Sequence, residues 1–162
     1  MNPIATLHMA NGRNIVIELL PESAPNTVNS FIYTASRGYL DHHAIERIVP
    51  GNWVDVSYTA FGKKECRYLI PNEFELNPDV VPLDSHPGAV CMGGYGEAGL
   101  AGCEFFFPLR DCPDHKGIYP VFGRVLEGMD ELYRLEKVET VPVTDFPIEG
   151  VEVNRPVKPE II

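Results

Sequence analysis

One arginine, Arg47, stands in the largely apolar run IERIVPGNWVDVSY at residues 45–58, and an acid comes eight positions later at Asp55. Pro50-Gly51-Asn52 must turn the chain between them. A two-residue primed turn would force a positive φ on Pro50, which its ring forbids. A three-residue loop, with Gly51 or Asn52 in the left-handed region, is easier and sets the register. Val49 then faces Trp53, Arg47 faces Asp55, and Ile45 faces Ser57. Opposed strand residues have Cβ atoms about 5 Å apart, so Arg47 and Asp55 should pair. On a solvated strand such a pair contributes only about 0–1 kcal/mol, and spacing alone favours that ordinary reading over an arginine placed for chemistry.

Other stretches also carry reactive residue types. GYGEAG at 94–99 has the spacing G-x-G-x-x-G after the apolar run GAVCM. A dinucleotide fingerprint needs a helix directly after it, whose N-terminus holds the pyrophosphate. The next residues are LAGCEFFFPLRDCP, strand-like and broken by Pro108 and Pro113, so the segment reads as a flexible glycine loop. In GCEFFFPL (102–109), alternation sends Phe105 and Phe107 to one face and Glu104 and Phe106 to the other. Phe106 is then either the floor of a partly wet pocket or part of a strand covered on both faces. Cys66, Cys91, Cys103 and Cys112 form no C-x-x-C pair, which argues against zinc and for free thiols, with Cys91 filling core. His42-His43 reads as a solvated turn rather than a metal site.

The elements that must position these residues are mostly strands. Candidates are 4–9, 14–19, 45–49, 53–57, 88–92, 104–109, 119–125 and 149–155, with Asn11-Gly12 a hairpin signal between the first two. Two helices are expected. In SAPNTVNSFIYTASRG, Val28, Phe31, Ile32 and Ala35 fall at i, i+3, i+4, i+7, after Pro25 and before Gly38. The second spans roughly 129–138, with acids in its first turn after Gly128. Many short strands, two helices and no βαβ alternation point to a mainly β domain: a closed antiparallel barrel over residues 1–162.

With 13 basic and 23 acidic side chains the net charge is −10, and the densest basic patch is GKK at 62–64. Nucleic acid and anionic membrane surfaces are therefore not expected partners. No apolar run approaches a membrane span and no leader is evident, so a cytoplasmic monomer is the expectation.

Taken together, IELLPESAPNTVNSFIYTASRGYLD (17–41), IERIVPG (45–51), IPNEF (70–74), HPGAVCMG (86–93), GCEFFF (102–107) and VFGRVLEGMD (121–130) resemble the cyclophilin family of peptidyl-prolyl cis–trans isomerases. The resemblance runs from about Ile4 to the C-terminus. It implies an eight-stranded antiparallel closed barrel capped by two helices. It further implies isomerase activity on proline-containing peptides or unfolded proteins, assisting folding, with no cofactor or metal. The family's catalytic arginine falls on Arg47. The substrate groove falls on Asn52, Trp53, Asp55, Gly93, Gly94, Glu104, Phe106, His115 and Tyr119.

The match departs from the family at the groove. Asn52 replaces a pocket phenylalanine, and Asp114, His115 and Tyr119 stand where a tryptophan, leucine and histidine are usual. Two substrate-gripping glutamines become Asp55 and Glu104, and the loop at 58–69 is shortened. A glutamine amide both donates and accepts, whereas a carboxylate only accepts. Arg47 would then be well oriented but largely neutralised. The chain is accordingly either an isomerase of reduced activity or a catalytically weak peptide-binding module.

Overall fold

The computed structural model describes residues 1–143 and 153–162. Asn11-Gly12 joins β1 (Ile4–His8) to β2 (Asn14–Leu19), with Ile4 opposite Glu18 and His8 opposite Asn14. The turn at residues 50–52 joins β3 (Arg47–Val49) to β4 (Trp53–Asp55) in the expected register, Arg47 opposite Asp55 and Val49 opposite Trp53. Gly51 takes the left-handed position, φ 75°, and its N–H donates to Glu136 Oε2 at 2.7 Å. The ladder ends at Arg47, so the expected Ile45–Ser57 pair does not form; the Ile45 N–H donates to Glu160 O instead.

β5 (Leu69–Ile70), β6 (Ala89–Gly94), β7 (Leu100–Pro108) and β8 (Val121–Glu127) complete an eight-stranded antiparallel sheet. Its order is β1-β2-β8-β6-β7-β4-β3, with β5 also on β7. β9 (Thr140–Pro142) and β10 (Asn154–Pro156) form a separate pair. β10 covers the end of the expected 149–155 strand, whose start lies outside the described residues. The strand pairing does not itself close the sheet, whose order ends at β1 and β3. The C-terminal residues lie between those ends. Ala10 N–H donates to Ile161 O at 2.8 Å, and Ile162 N–H to His43 O at 3.1 Å.

Three helices, not the expected two, occur among the described residues: α1 (Pro25–Ser36), α2 (Glu73–Leu76) and α3 (Met129–Glu136). The single turn α2 was too short for periodicity to reveal. Asn72 caps it, accepting from the Phe74 N–H at 3.2 Å. The inward face of α1 also differs from the apolar stripe: Thr27, Val28, Ser30, Phe31 and Thr34 are buried, whereas Ile32 and Ala35 are exposed. The hydroxyls can go inward because each is matched. Ser30 Oγ donates to Gly102 O, and Thr34 Oγ1 donates to Phe31 O at 3.0 Å.

Thr27 is matched by Glu73, a fully buried acid on α2. Glu73 accepts from the Asn26 N–H at 3.1 Å, Asn26 Nδ2 at 2.9 Å, the Thr27 N–H at 3.0 Å and Thr27 Oγ1 at 2.8 Å. A carboxylate thus satisfies the orphan donors of the first turn of α1 and complements its dipole, where Ala24 offers no side-chain cap. Glu73→Ala strands these donors in the interior and should lower unfolding free energy by about 3 kcal/mol. Urea titration of the variant against the parent checks this, with Glu73→Gln expected to fall between them.

Candidate active site

The register of four strands makes one transverse row. Arg47 on β3 opposes Asp55 on β4, Asp55 opposes Phe106 on β7, and Phe106 opposes Cys91 on β6. Opposed residues point to one face, and so do residues two positions away. Trp53, Glu104 and Gly93 therefore share the face of Asp55, Phe106 and Cys91. The opposite face carries Ile48, Val54, Phe105, Phe107 and Met92, all in the main core. On the site face a second apolar cluster forms from Ala89, Cys91, Phe106 and Val121, with Trp53 and Tyr119 packed against it. Every residue of β7 is buried. Both readings of the triple phenylalanine therefore hold: the strand is covered on both faces, and Phe106 still floors a cavity.

That cavity has a volume of about 370 Å³. Arg47, Trp53, Asp55, Gly93, Gly94, Glu104, Phe106, His115 and Tyr119 all line it, as expected, together with Tyr58 and Tyr95. Around the Phe106 ring stand Trp53 at 6.2 Å, His115 at 6.0 Å and Tyr119 at 5.8 Å between centroids, close to perpendicular in the last two pairs. Buried Trp53 Nε1 and His115 Nδ1 have no hydrogen-bond partner among the described residues.

Asn52 is the expected residue that the cavity does not include. It sits in the β3–β4 turn, where its Nδ2 donates to Pro50 O at 3.3 Å and its Oδ1 accepts from Arg110 Nε at 2.7 Å. A side chain committed to its own turn and to Arg110 is held outside. Tyr58 and Tyr95 were missed because they lie in irregular segments, where alternation says nothing about direction. GYGEAG, for its part, is the β6–β7 hairpin, with a 3₁₀ turn at Gly96–Ala98 and no helix after it.

Arg47 Nη1 donates to Asp55 Oδ2 at 3.2 Å. Its guanidinium carbon lies 5.0 Å from the Tyr58 ring centroid and 5.5 Å from that of Trp53. The arginine is therefore oriented over the cavity by one carboxyl and two π faces. Burial pushes Asp55 up to about 7, although the neighbouring Arg47 pulls the other way. Burial likewise pushes Glu104 up to about 8, against the hydrogen bond from the Tyr95 hydroxyl at 2.9 Å. His115 is held below its ordinary value by burial. Among the described residues no group of three or more potential ligands could hold a metal ion.

The site is a guanidinium oriented over an aromatic-lined cavity, on an eight-stranded antiparallel sheet with helices packed on it. Comparison with known proteins gives its class. Residues 4–155 match the family model described as cyclophilin type peptidyl-prolyl cis-trans isomerase/CLD. The chain is 32% identical over 147 residues to peptidyl-prolyl cis-trans isomerase-like 1 of Aspergillus niger, covering 88% of this chain and 86% of that protein. It is 30% identical over 152 residues to mouse peptidylprolyl isomerase domain and WD repeat-containing protein 1, covering 92% of this chain but only 23% of that longer protein. A Cryptosporidium parvum cyclophilin type peptidyl-prolyl cis-trans isomerase matches in structure with a TM-score of 0.77 at 20% identity, covering 100% of this chain and 94% of that one. A structure of the same Cryptosporidium protein in the presence of the dipeptide Ala-Pro matches with a TM-score of 0.74 at 20% identity, covering 98% and 94%. The chain belongs to the cyclophilin-type peptidyl-prolyl cis–trans isomerase family. Among the described residues no helix is long and apolar enough to cross a membrane.

Tyr58, Tyr95 and Glu104 also wall a second cavity of about 770 Å³, which His42, His43 and Lys63 help to line. Here the expected solvated turn holds only for His42, which is exposed; His43 is buried, 6% exposed, with Nε2 at 3.3 Å from Thr59 Oγ1. Burial and the nearby Lys63 push His43 down to about 4. Its ordinary value is near 6.5, so between pH 6.5 and 4 the unfolded chain binds a proton that the fold refuses. This contribution is complete above pH 6.5 and is lost on acidification toward 4. The stability lost over that window should be greater by about 2 kcal/mol in the parent than in His43→Gln, as read from denaturant titrations at several pH values.

Proposed function

We propose that the chain acts as a single cyclophilin-like domain over residues 1–162 and isomerises X–Pro bonds of peptides and unfolded proteins, with Arg47 as the electrostatic catalyst. The observation that carries this reading is the position of the Arg47 guanidinium at the rim of the cavity floored by Phe106. Amide resonance sets the barrier to rotation at about 18–20 kcal/mol. As the bond twists, the prolyl nitrogen becomes pyramidal and regains a lone pair. A guanidinium donating to it stabilises the twisted state more than either planar state, which is the condition for catalysis. One charge-assisted hydrogen bond contributes about 1.5–3 kcal/mol, or about one to two decades of rate. The aromatic box must supply the rest by holding the proline ring. No covalent intermediate is involved. The free, buried cysteines suit a cytoplasmic setting, and the contacts of residues 160–162 suit a barrel closed by the C-terminal segment.

The 3.2 Å contact between Arg47 and Asp55 also supports a second reading, a peptide-binding module with little turnover. A carboxylate at that distance offsets much of the field that the prolyl nitrogen would feel. The two readings separate in a proline-peptide isomerisation assay. If Arg47 is the catalyst, Arg47→Ala should slow turnover at least tenfold while Asp55→Asn, which removes the opposing charge, should raise it by about tenfold. Peptide binding by the parent with no turnover above background leaves the binding module. Turnover unchanged by Arg47→Ala removes the catalytic role.

A further inference from the structure

The guanidinium of Arg47 and the carboxyls of Asp55 and Glu104 meet in the small cavity, beside His115 and three tyrosines. The guanidinium and both carboxyls are largely withdrawn from water, with side-chain exposures of 14% and 11% for Arg47 and Asp55 and 5% for Glu104 as a residue. A single cation cannot balance two carboxylates in such a space, and an uncompensated buried charge is relieved by binding a proton. Asp55 has the direct ion pair. Glu104 instead meets neutral donors, the Tyr95 hydroxyl at Oε1 and the Phe61 backbone N–H. Its other oxygen, Oε2, lies beside Gly93, where a Cβ would come to 3.9 Å from it. Gly93 lines the small cavity and not the second one, so Oε2 is the Glu104 oxygen placed on that side.

We propose that Glu104 works in the isomerase reaction as a neutral carboxylic acid, donating from the oxygen beside Gly93 to a peptide carbonyl of the bound substrate, while Asp55 is the carboxylate that pairs with Arg47. This role rests on the isomerase reading of the site. A carboxylic acid presents one donor and one acceptor on adjacent atoms, as a primary amide does; a carboxylate presents acceptors only and repels a carbonyl oxygen. Glu104 can therefore do the gripping that an amide would do, as long as it keeps its proton. Asp55 has the cation of Arg47 against it and Glu104 a neutral hydroxyl, so Asp55 ionises first and the proton stays on Glu104, where the carbonyl can meet it.

The groups around Glu104 leave this step distinct. Arg47 on β3 and Lys63 and Arg67, in the chain after β4, are the basic side chains around it. Tyr58 and Tyr95 are both raised above their ordinary values by burial, so they hold their protons. Cys103, the chain neighbour, is raised likewise, and Cys66 beside it also. His43 and His115 are lowered and remain neutral. His42 and Glu46 lie across the second cavity.

The test is the rate of isomerisation of an uncharged proline peptide between pH 6 and 9.5, together with the carboxyl NMR titration of Glu104. The parent should slow by at least tenfold as pH rises through about 8, with the Glu104 carboxyl titrating over the same interval. Glu104→Gln keeps a donor at every pH, so it should keep only the decline that Asp55 ionisation near 7 gives both proteins, lose the further fall through about 8, and outpace the parent at least tenfold at pH 9.5. Glu104→Ala, which has no donor, should be slow throughout. A parent rate independent of pH, a parent-to-Glu104→Gln rate ratio that does not change through about pH 8, or a Glu104 that titrates in the ordinary carboxyl range overturns the proposal while leaving an isomerase with a different gripping group. Peptide bound but not turned over at any pH by the parent or by Glu104→Gln overturns the isomerase reading, and this one with it.

Discussion

The register of the β3–β4 hairpin is the constraint on which the site depends. A one-residue slip in a strand pair sends every side chain to the other face. Here that would move Arg47 and Asp55 into the core and bring Ile48 and Val54 out against Phe106. Pro50 excludes the two-residue turn, Gly51 supplies the left-handed residue that the three-residue turn requires, and Glu136 on α3 grips the Gly51 N–H. The hairpin is thereby fixed at its tip by α3 and along its length by β7. Asp55 opposite Phe106 and Val54 opposite Phe107 carry the register onward into the strand that floors the cavity.

Once that register is set, the sheet presents two apolar faces of different size. The large one is the domain core; the small one is the cluster of Ala89, Cys91, Phe106 and Val121. Arg47, Asp55 and Glu104 enter beside the small cluster from β3, β4 and β7, and the irregular segments bearing Tyr58 and Tyr95 close over them. The arrangement accounts for the electrostatics. Rings on the floor and walls exclude water, which strengthens the Arg47–Asp55 contact and also makes each carboxylate costly.

Much of this could be read from the chain before any coordinates. Strong local constraints gave reliable expectations: Asn11-Gly12, the Pro50-Gly51-Asn52 loop, and the alternation in EFFF all place their residues as the fold does. Several misses share one cause, which is that the deciding interaction was distant in sequence. The inward face of α1 is set by Glu73 and Gly102, not by its own apolar residues. Asn52 is drawn out of the groove by Arg110, 58 positions along. His43 is buried by the chain after β4 and by the C-terminal residues, so a pair of adjacent histidines with a turn-like composition gave no warning. Tyr58 and Tyr95 reach the cavity from segments without periodicity, and only the three-dimensional path of those segments aims them.

The cavity's shape and its chemistry are separable in this chain. An amide and a protonated carboxyl differ little in size, so the cavity holds either with the same packing; what differs is a proton that can leave. The same proton links function to stability. Asp55 and Glu104 are raised above the values they have in an unfolded chain, so between about pH 4 and 8 the fold holds protons that the unfolded chain has shed. Their contribution is therefore greatest in acid and declines as pH rises through about 7 and then about 8. His43 acts in the opposite sense at lower pH, its contribution being lost on acidification below 6.5. The two effects leave a middle range in which the fold keeps His43 neutral without yet carrying two buried carboxylates. In the upper part of that range Asp55 ionises and offsets part of the Arg47 charge, while Glu104 still holds the proton it would donate.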